Sequence, residues 1–202
     1  MVLESVGNLR ILGDEPGNIL NPTEYMERVK RSSKKYGFDL EILDEKKLRK
    51  MGMNTIVSVG EGSVFPTYLA VLRHNGGKKS DKPVVMCGKG ITFDAGGISI
   101  TTGNHVWEMK DDMIGSGNVL TTMEVISNMA KNKVGKTNFN LVGLMAIAEN
   151  MPGGNATKPG DVVKSYSGKT IEIIDTDAEG RLVLSDALWY AHEFNPKLII
   201  DL

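Results

Sequence analysis

The spacing of apolar residues divides the chain into short strand-like runs and longer helix-like repeats. Strands are predicted where apolar residues run together or alternate, over residues 38–42, 55–59, 67–73, 84–87, 139–147, 161–166, 169–174 and 198–202. Helices are predicted from apolar residues three and four positions apart or from end signals, over residues 22–36, 45–51, 113–130 and 184–191. Because strands and helices alternate, we expect a three-layer α/β/α fold with a central mixed, largely parallel sheet covered on both faces.

Some of these elements carry clear signals at their ends. Asn21 is a typical helix cap, Pro22 suits the first helical position, and Glu24 completes the pattern of a capping box. Gly37 is placed to end the same helix. Ser167-Gly168 separates two strand-like runs and predicts a hairpin turn.

One predicted strand leads directly into a group of charged residues. The apolar run 171–174 is followed by Asp175, Asp177, Glu179 and Arg181, and then by helical spacing. Ligands of open α/β sheets bind at the carboxyl ends of strands, and acids two apart in an extended segment point to the same side. The three carboxylates are therefore expected to converge on a cation. The alternative is that Asp177 caps the following helix and Glu179 is favoured by the helix dipole.

A second cluster of charged residues follows the predicted strand 84–87. Lys89 lies between two glycines, Asp94 is followed by the small residues Ala-Gly-Gly, and Asp112 precedes the helix 113–130. Each has an ordinary explanation, since Asp112 suits a helix amino terminus and Lys89 suits solvent. A phosphate cradle is a further alternative, but the P-loop pattern fails because no Ser or Thr follows the lysine at a helix start.

Composition narrows the class of protein. The 202 residues carry a net charge of −1, with 41% hydrophobic residues, so we expect one soluble domain over 1–202 that binds neither nucleic acid nor a membrane. Cys87 is the only cysteine, which excludes an internal disulfide. Charged residues near the amino terminus interrupt any apolar stretch that could act as a signal-peptide core. No apolar run is long enough to span a bilayer. We expect a cytoplasmic protein.

Several motifs together resemble the leucyl aminopeptidase, or cytosol aminopeptidase, family. They are Gly-Lys-Gly-Ile-Thr-Phe-Asp-Ala-Gly-Gly-Ile-Ser at 88–99, residues 109–113, Asn-Met-Pro-Gly-Gly-Asn at 150–155 and Asp-Thr-Asp-Ala-Glu-Gly-Arg-Leu at 175–182. The resemblance extends over nearly the whole chain, and the Thr-Asp-Ala-Glu-Gly-Arg motif is highly specific. It implies the zinc-dependent exopeptidase type of α/β fold and an enzyme that removes amino-terminal residues from peptides with two metal ions.

The resemblance also implies roles for individual residues. Asp94 and Glu179 would bridge the two ions, Lys89 and Asp112 would complete the tighter site, and Asp177 would complete the more exchangeable one. The oxygen-rich, histidine-free set by itself favours magnesium or manganese. The family resemblance favours zinc instead, with manganese or cobalt able to replace it.

Four further positions bear on the site. Arg181 would hold bicarbonate as the general base, and Met109 would line the pocket for the first side chain unless it is a core methionine. Thr101 stands in the substrate-binding position where the family has a lysine that donates to the developing oxyanion. Loss of such a donor lowers turnover roughly a hundredfold to a thousandfold. Asp175 replaces a usual asparagine.

The family extends beyond this chain on both sides, with an amino-terminal domain before it and more of the catalytic domain after Leu202. We therefore expect an incomplete domain. The resemblance implies a homohexamer, some of whose contacts the missing part would supply. Two hypotheses remain: a dinuclear aminopeptidase impaired by Thr101 and by truncation, or a non-catalytic metal-binding or assembly protein that keeps the fold.

Overall fold

The computed structural model of the protein describes residues 2–202. Its strands are β1 (Asp39–Asp44), β2 (Tyr68–Asn75), β3 (Val84–Asp94), β4 (Asn140–Asn150), β5 (Val162–Lys164), β6 (Thr170–Glu172) and β7 (Leu198–Asp201). Its α-helices are α1 (Val2–Asp14), α2 (Pro22–Tyr36), α3 (Glu45–Met51), α4 (Asn54–Gly60), α5 (Ile114–Lys131) and α6 (Glu179–Ala191). Short 3-10 helices cover Val106–Asp111, Thr176–Ala178 and His192–Phe194.

Five strands form the central sheet, in the order β1-β2-β4-β3-β7. The pairings of β1 with β2 and of β2 with β4 are antiparallel. Those of β4 with β3 and of β3 with β7 are parallel. The predicted mixed sheet is therefore confirmed, with its pairings divided evenly between the two kinds. The parallel half matters for function because the carboxyl ends of β3, β4 and β7 lie at one edge.

Helices cover both faces of this sheet, as the alternation of elements predicted. One core cluster packs α3, α4 and α6 against one face, and the other packs α1, α2 and α5 against the opposite face. Successive residues of β4 serve the two clusters in turn: Leu144 belongs to the first and Met145 to the second. The strand is buried on both sides, which explains its nearly continuous apolar sequence.

The end signals of α2 are confirmed at Asn21 and Gly37, whereas the Glu24 side chain accepts from Arg28 and Arg31 and does not close a capping box. The Asn21 side chain accepts hydrogen bonds from the backbone N–H groups of Thr23 and Glu24, both at 3.1 Å. Gly37 adopts a left-handed conformation with φ of 84° and ends the helix. The hairpin turn at Ser167-Gly168 is also present, between β5 and β6.

The strand prediction for residues 55–59 is wrong, because this segment is the helix α4. Residues 55–60 are all buried, so the sequence has no polar face from which a helical period can be read. Its amino terminus is capped by a distant residue. The Asp186 carboxylate accepts from the N–H groups of Thr55 at 2.9 Å and Ile56 at 3.3 Å.

The strand before the acidic motif is confirmed only in part. β6 ends at Glu172 and pairs with β5 in a separate two-stranded sheet. The acidic motif therefore does not extend from a strand of the central sheet, and it reaches the sheet edge through the tertiary fold. No helix within residues 2–202 is long and apolar enough to cross a membrane.

Candidate metal centre

The site begins where β3 and β4 end side by side. Asp94, the last residue of β3, is paired in register with Asn150, the last residue of β4. The Asn150 amide donates to Asp94 Oδ1 at 2.8 Å, and the Gly96 N–H donates to the same oxygen at 2.9 Å. Asn150 also donates to the Thr176 carbonyl at 3.0 Å, which joins the acidic motif to the sheet edge.

A β-bulge in β3 brings Lys89 and Asp94 to the same side. Residues five apart in a regular strand face opposite sides of the sheet. Between Ile91 and Asp94, however, β3 advances three residues while β4 advances two, from Ala148 to Asn150. The additional residue restores the common orientation, which is a usual effect of bulges near functional sites.

The acidic motif supplies two of its three carboxylates to the site. Oxygen atoms of Asp94, Asp177 and Glu179 all lie within 4.8 Å of one another. Asp175 is not part of this group, and its predicted convergence is wrong. Its side chain instead accepts from the Asp177 N–H at 3.0 Å, because residues 176–178 form a 3-10 helix rather than the extended segment in which acids two apart align.

Lys89 connects this group to the remaining predicted ligand. Its ammonium nitrogen lies 2.5 Å from Glu179 Oε1 and 2.8 Å from Asp112 Oδ2. Asp112 directly follows the 3-10 helix Val106–Asp111 and precedes α5. The five predicted ligands, drawn from three segments of the chain, therefore meet at one place.

The electrostatics of this cluster favour additional positive charge. Burial, reinforced by Glu179, raises the pKa of Asp94 to about 6. Burial also raises the pKa of Asp112 to about 6, although Lys89 opposes the shift. Burial alone would lower the pKa of Lys89, but the neighbouring Asp112 and Glu179 carboxylates outweigh it and the net shift is upward. The cluster thus contains four carboxylates and one ammonium group, which is paired with two of them, Asp112 and Glu179.

Glu179 provides a direct test of whether cations fit here. Its side chain is 1% exposed, and its Oε2 atom has no hydrogen-bond partner among residues 2–202. Oε1 is at ion-pair distance from Lys89 but is also without a hydrogen bond of good geometry. A buried carboxylate with unsatisfied oxygens is costly unless a cation binds it. The donor set of carboxylates and one amine fits divalent metal ions.

Of the remaining predicted residues, only Thr101 has a direct contact with this cluster among residues 2–202. The Thr101 hydroxyl donates to Asp177 Oδ1 at 2.8 Å. Arg181 is exposed on the first turn of α6 and lines a groove of about 360 Å³ together with Ile174 and Leu182. Met109 is half-buried in the 3-10 helix before Asp112 and belongs to neither core cluster. Its surroundings do not support the alternative of a core methionine.

Asn150 is a site residue that the sequence analysis did not single out. It was part of the Asn-Met-Pro motif, but its contact with Asp94 depends on strand pairing across 56 positions. A polar residue at the end of an otherwise apolar strand is the signal that marks it.

The fold and the cluster together define an α/β protein built around a carboxylate-rich site suited to divalent cations. Comparison of the sequence with known protein families narrows this class. Residues 8–202 match the cytosol aminopeptidase family, catalytic domain. The chain belongs to this family, as its motifs suggested.

Individual relatives agree with this assignment. A probable cytosol aminopeptidase of Azoarcus sp. (strain BH72) is 47% identical over 201 residues, covering 100% of this chain and 39% of the relative. That of Thioalkalivibrio sulfidiphilus (strain HL-EbGR7) is 50% identical over 194 residues, covering 96% and 38%. The chain thus spans about two fifths of the length of these curated relatives.

Solved structures confirm the fold. The leucyl aminopeptidase from Leishmania major, in complex with actinonin, matches with a TM-score of 0.92 and 31% identity, covering 99% of this chain and 38% of that one. The leucine aminopeptidase from Caenorhabditis elegans matches with a TM-score of 0.91 and 33% identity, covering 99% and 40%.

Proposed function

We propose that this chain carries the metal centre of a dinuclear aminopeptidase that releases amino-terminal residues, leucine among them, from peptides. The observation that carries the proposal is the convergence of three carboxylates within 4.8 Å, one of them buried with an unsatisfied oxygen. Family membership supports the same reading. The proposed ions are zinc, with manganese or cobalt as replacements.

The proposed ligand roles are those that the resemblance to the family implies. Asp94 and Glu179, which lie within 4.8 Å of each other, would contact both ions. Lys89 and Asp112 would complete the tighter site, while the exposed Asp177 would complete the more exchangeable one. Lys89 must lose its proton before its nitrogen can bind a cation, so loading should release a proton. When bound, two such cations polarise a peptide carbonyl and lower the pKa of a water molecule.

The residues around the cluster would bind and orient the reactants. Arg181 is exposed two residues after Glu179 on α6, and its planar fork suits bicarbonate, which would accept the proton of water. The apolar groove next to Arg181 offers surface for a peptide. Met109 would contact the first side chain of the substrate.

Thr101 limits the activity that we propose. A threonine hydroxyl that donates to Asp177 does not replace a lysine ammonium as a donor to the oxyanion. We therefore expect peptide cleavage that is slower by a factor on the order of a hundred to a thousand than with that donor present. The same feature favours the second candidate function, a metal-binding or assembly protein that keeps the fold without catalysis.

The location, the substrates and the assembly of this chain are also proposals. The relatives are named as cytosol aminopeptidases, and we propose a cytoplasmic location and peptide substrates for this chain. A homohexamer is proposed as its assembly. The chain spans about two fifths of the length of its relatives. All of the roles proposed here belong to residues of this chain.

The proposal is tested by metal content and turnover measured on the same preparation. Elemental analysis after loading with zinc or manganese should give two ions per chain, and leucine anilide should be hydrolysed slowly. Glu179→Gln should lose both properties, whereas Glu172→Gln, an exposed glutamate on β6, should keep them. Two ions without turnover would favour the non-catalytic alternative, and no bound ion would refute the metal centre.

A further inference from the structure

Two loops of the site are fastened together by hydrogen bonds that leave the proposed ligands free. The Ser99 N–H donates to Thr176 Oγ1 at 2.8 Å, and the Thr176 N–H donates to Ser99 Oγ at 3.2 Å. The Thr176 hydroxyl also donates to the Gly96 carbonyl at 2.7 Å. The loop that follows Asp94 therefore lies in a fixed position against the loop that carries Asp177.

Thr101 adds a hydrogen bond that ends on a proposed ligand. Its hydroxyl donates to Asp177 Oδ1 at 2.8 Å, and its own N–H donates to the Ala95 carbonyl at 3.0 Å, which holds its backbone in place. Gly96, with φ of 82°, makes this approach available. A Cβ atom at Gly96 would lie 2.7 Å from Asp177 Oδ1 and 2.8 Å from the Thr101 nitrogen.

This geometry determines what the hydroxyl can do. A threonine hydroxyl has one proton to donate, and here that proton is directed to a carboxylate. It is then not available to a developing oxyanion on a substrate. Asp177 is exposed and otherwise free to change rotamer, whereas the bond holds Oδ1 and leaves Oδ2 to approach a cation.

We propose that Thr101 is a positioning residue for Asp177 and sets the affinity of the metal site that Asp177 completes. This inference rests on the proposed function, because it requires a cation at the cluster. Removal of a residue that hydrogen-bonds a metal-binding side chain, without itself contacting the metal, typically weakens metal affinity by about 10- to 100-fold. The residue that stands in the substrate-binding position therefore acts on the metal site instead.

The experiment titrates zinc into the chain in competition with a chromophoric chelator, which measures both affinities without any assay of activity. Thr101→Val, which keeps the shape and removes the hydroxyl, should weaken the weaker site by about 10- to 100-fold. Thr101→Ser, which keeps the hydroxyl, should remain within about threefold of the wild type, as should the control Thr102→Val at the exposed neighbouring position. The tighter site should be unchanged in all three variants.

The outcomes separate this inference from the proposed function. If the wild type binds two zinc ions and Thr101→Val binds both as tightly, the positioning role is refuted while the metal centre stands. If the wild type binds no zinc, the proposed function fails and the inference fails with it. Thermal melting of the metal-free variants checks the fold, and Thr101→Ala is measured against the same thresholds if Thr101→Val does not fold.

Discussion

The buried carboxylate of Asp186 should be the most important single polar group for the stability of this fold. It is 0% exposed and lies on α6, the helix that begins at Glu179. It accepts from the backbone N–H groups of Thr55 at 2.9 Å, Ile56 at 3.3 Å and Tyr166 at 2.7 Å. One side chain thus holds the start of α4 and the β5–β6 hairpin against the helix of the metal site.

The cost of removing it follows from these three bonds. Asp186→Ala leaves two buried donors and one half-buried donor without a partner, and each costs about 1–3 kcal/mol. The Ile56 bond is long, and water can enter the space vacated by the side chain, so we expect a loss of about 4 kcal/mol in the free energy of unfolding. The total free energy of unfolding of a typical domain is only about 5–15 kcal/mol.

Urea denaturation followed by circular dichroism measures this loss directly. Asp186→Asn keeps the shape and one acceptor oxygen, so its loss should be smaller, about 2 kcal/mol. Glu193→Ala, at an exposed position just after α6, is the control and should stay within about 0.5 kcal/mol of the wild type. A loss below about 1.5 kcal/mol for Asp186→Ala would refute the reasoning that these bonds are unsatisfied without the carboxylate.

Three further predictions concern catalysis, pH and the metal site. Thr101→Lys should raise the turnover of leucine anilide about a hundredfold in the metal-loaded chain, because it restores an oxyanion donor. Burial raises the pKa of Glu124 above its ordinary value of 4.5. Above pH 4.5 the folded state therefore binds more protons than the unfolded state, and the free energy of unfolding falls as pH rises through the shifted pKa. Glu124→Gln should reduce this fall, measured by urea denaturation at pH values from about 5 to 8. Gly180→Ala places a Cβ atom 2.8 Å from Lys89 Cδ, so it should leave the fold intact and weaken the tighter zinc site about tenfold.

Each of these predictions has a result that would contradict it. Unchanged turnover in Thr101→Lys would mean that the missing donor does not limit the rate. An equally steep pH dependence in Glu124→Gln would assign the slope to other groups, with Glu27→Gln, whose side chain is half-exposed on α2, as the control. Zinc affinity in Gly180→Ala equal to that of the wild type would show that Lys89 need not keep its present position.

The sequence by itself was sufficient for the parts of this protein that depend on local chemistry. The helix α2 was predicted with both ends because Asn21, Pro22 and Gly37 act on backbone groups within a few residues. The helix α5 was predicted because its buried face repeats at helical spacing. The motifs identified the family, and the structure brings the five predicted metal ligands together.

Other features were decided only by tertiary structure, because they depend on partners far apart in the chain. Residues 55–59 form a helix because burial on all sides and a cap from Asp186 replace any local signal. Asp175 turns away from the site because a 3-10 helix interrupts the extended geometry that the spacing implied.

The contacts within the site were also decided only by tertiary structure. Asn150 meets Asp94 through strand pairing, and a bulge in β3 aligns Lys89 with Asp94. The contact of Thr101 with Asp177 spans 76 positions. Sequence patterns report which side chains are present and how neighbours are spaced, whereas contacts between distant segments are determined by how the layers pack around the sheet.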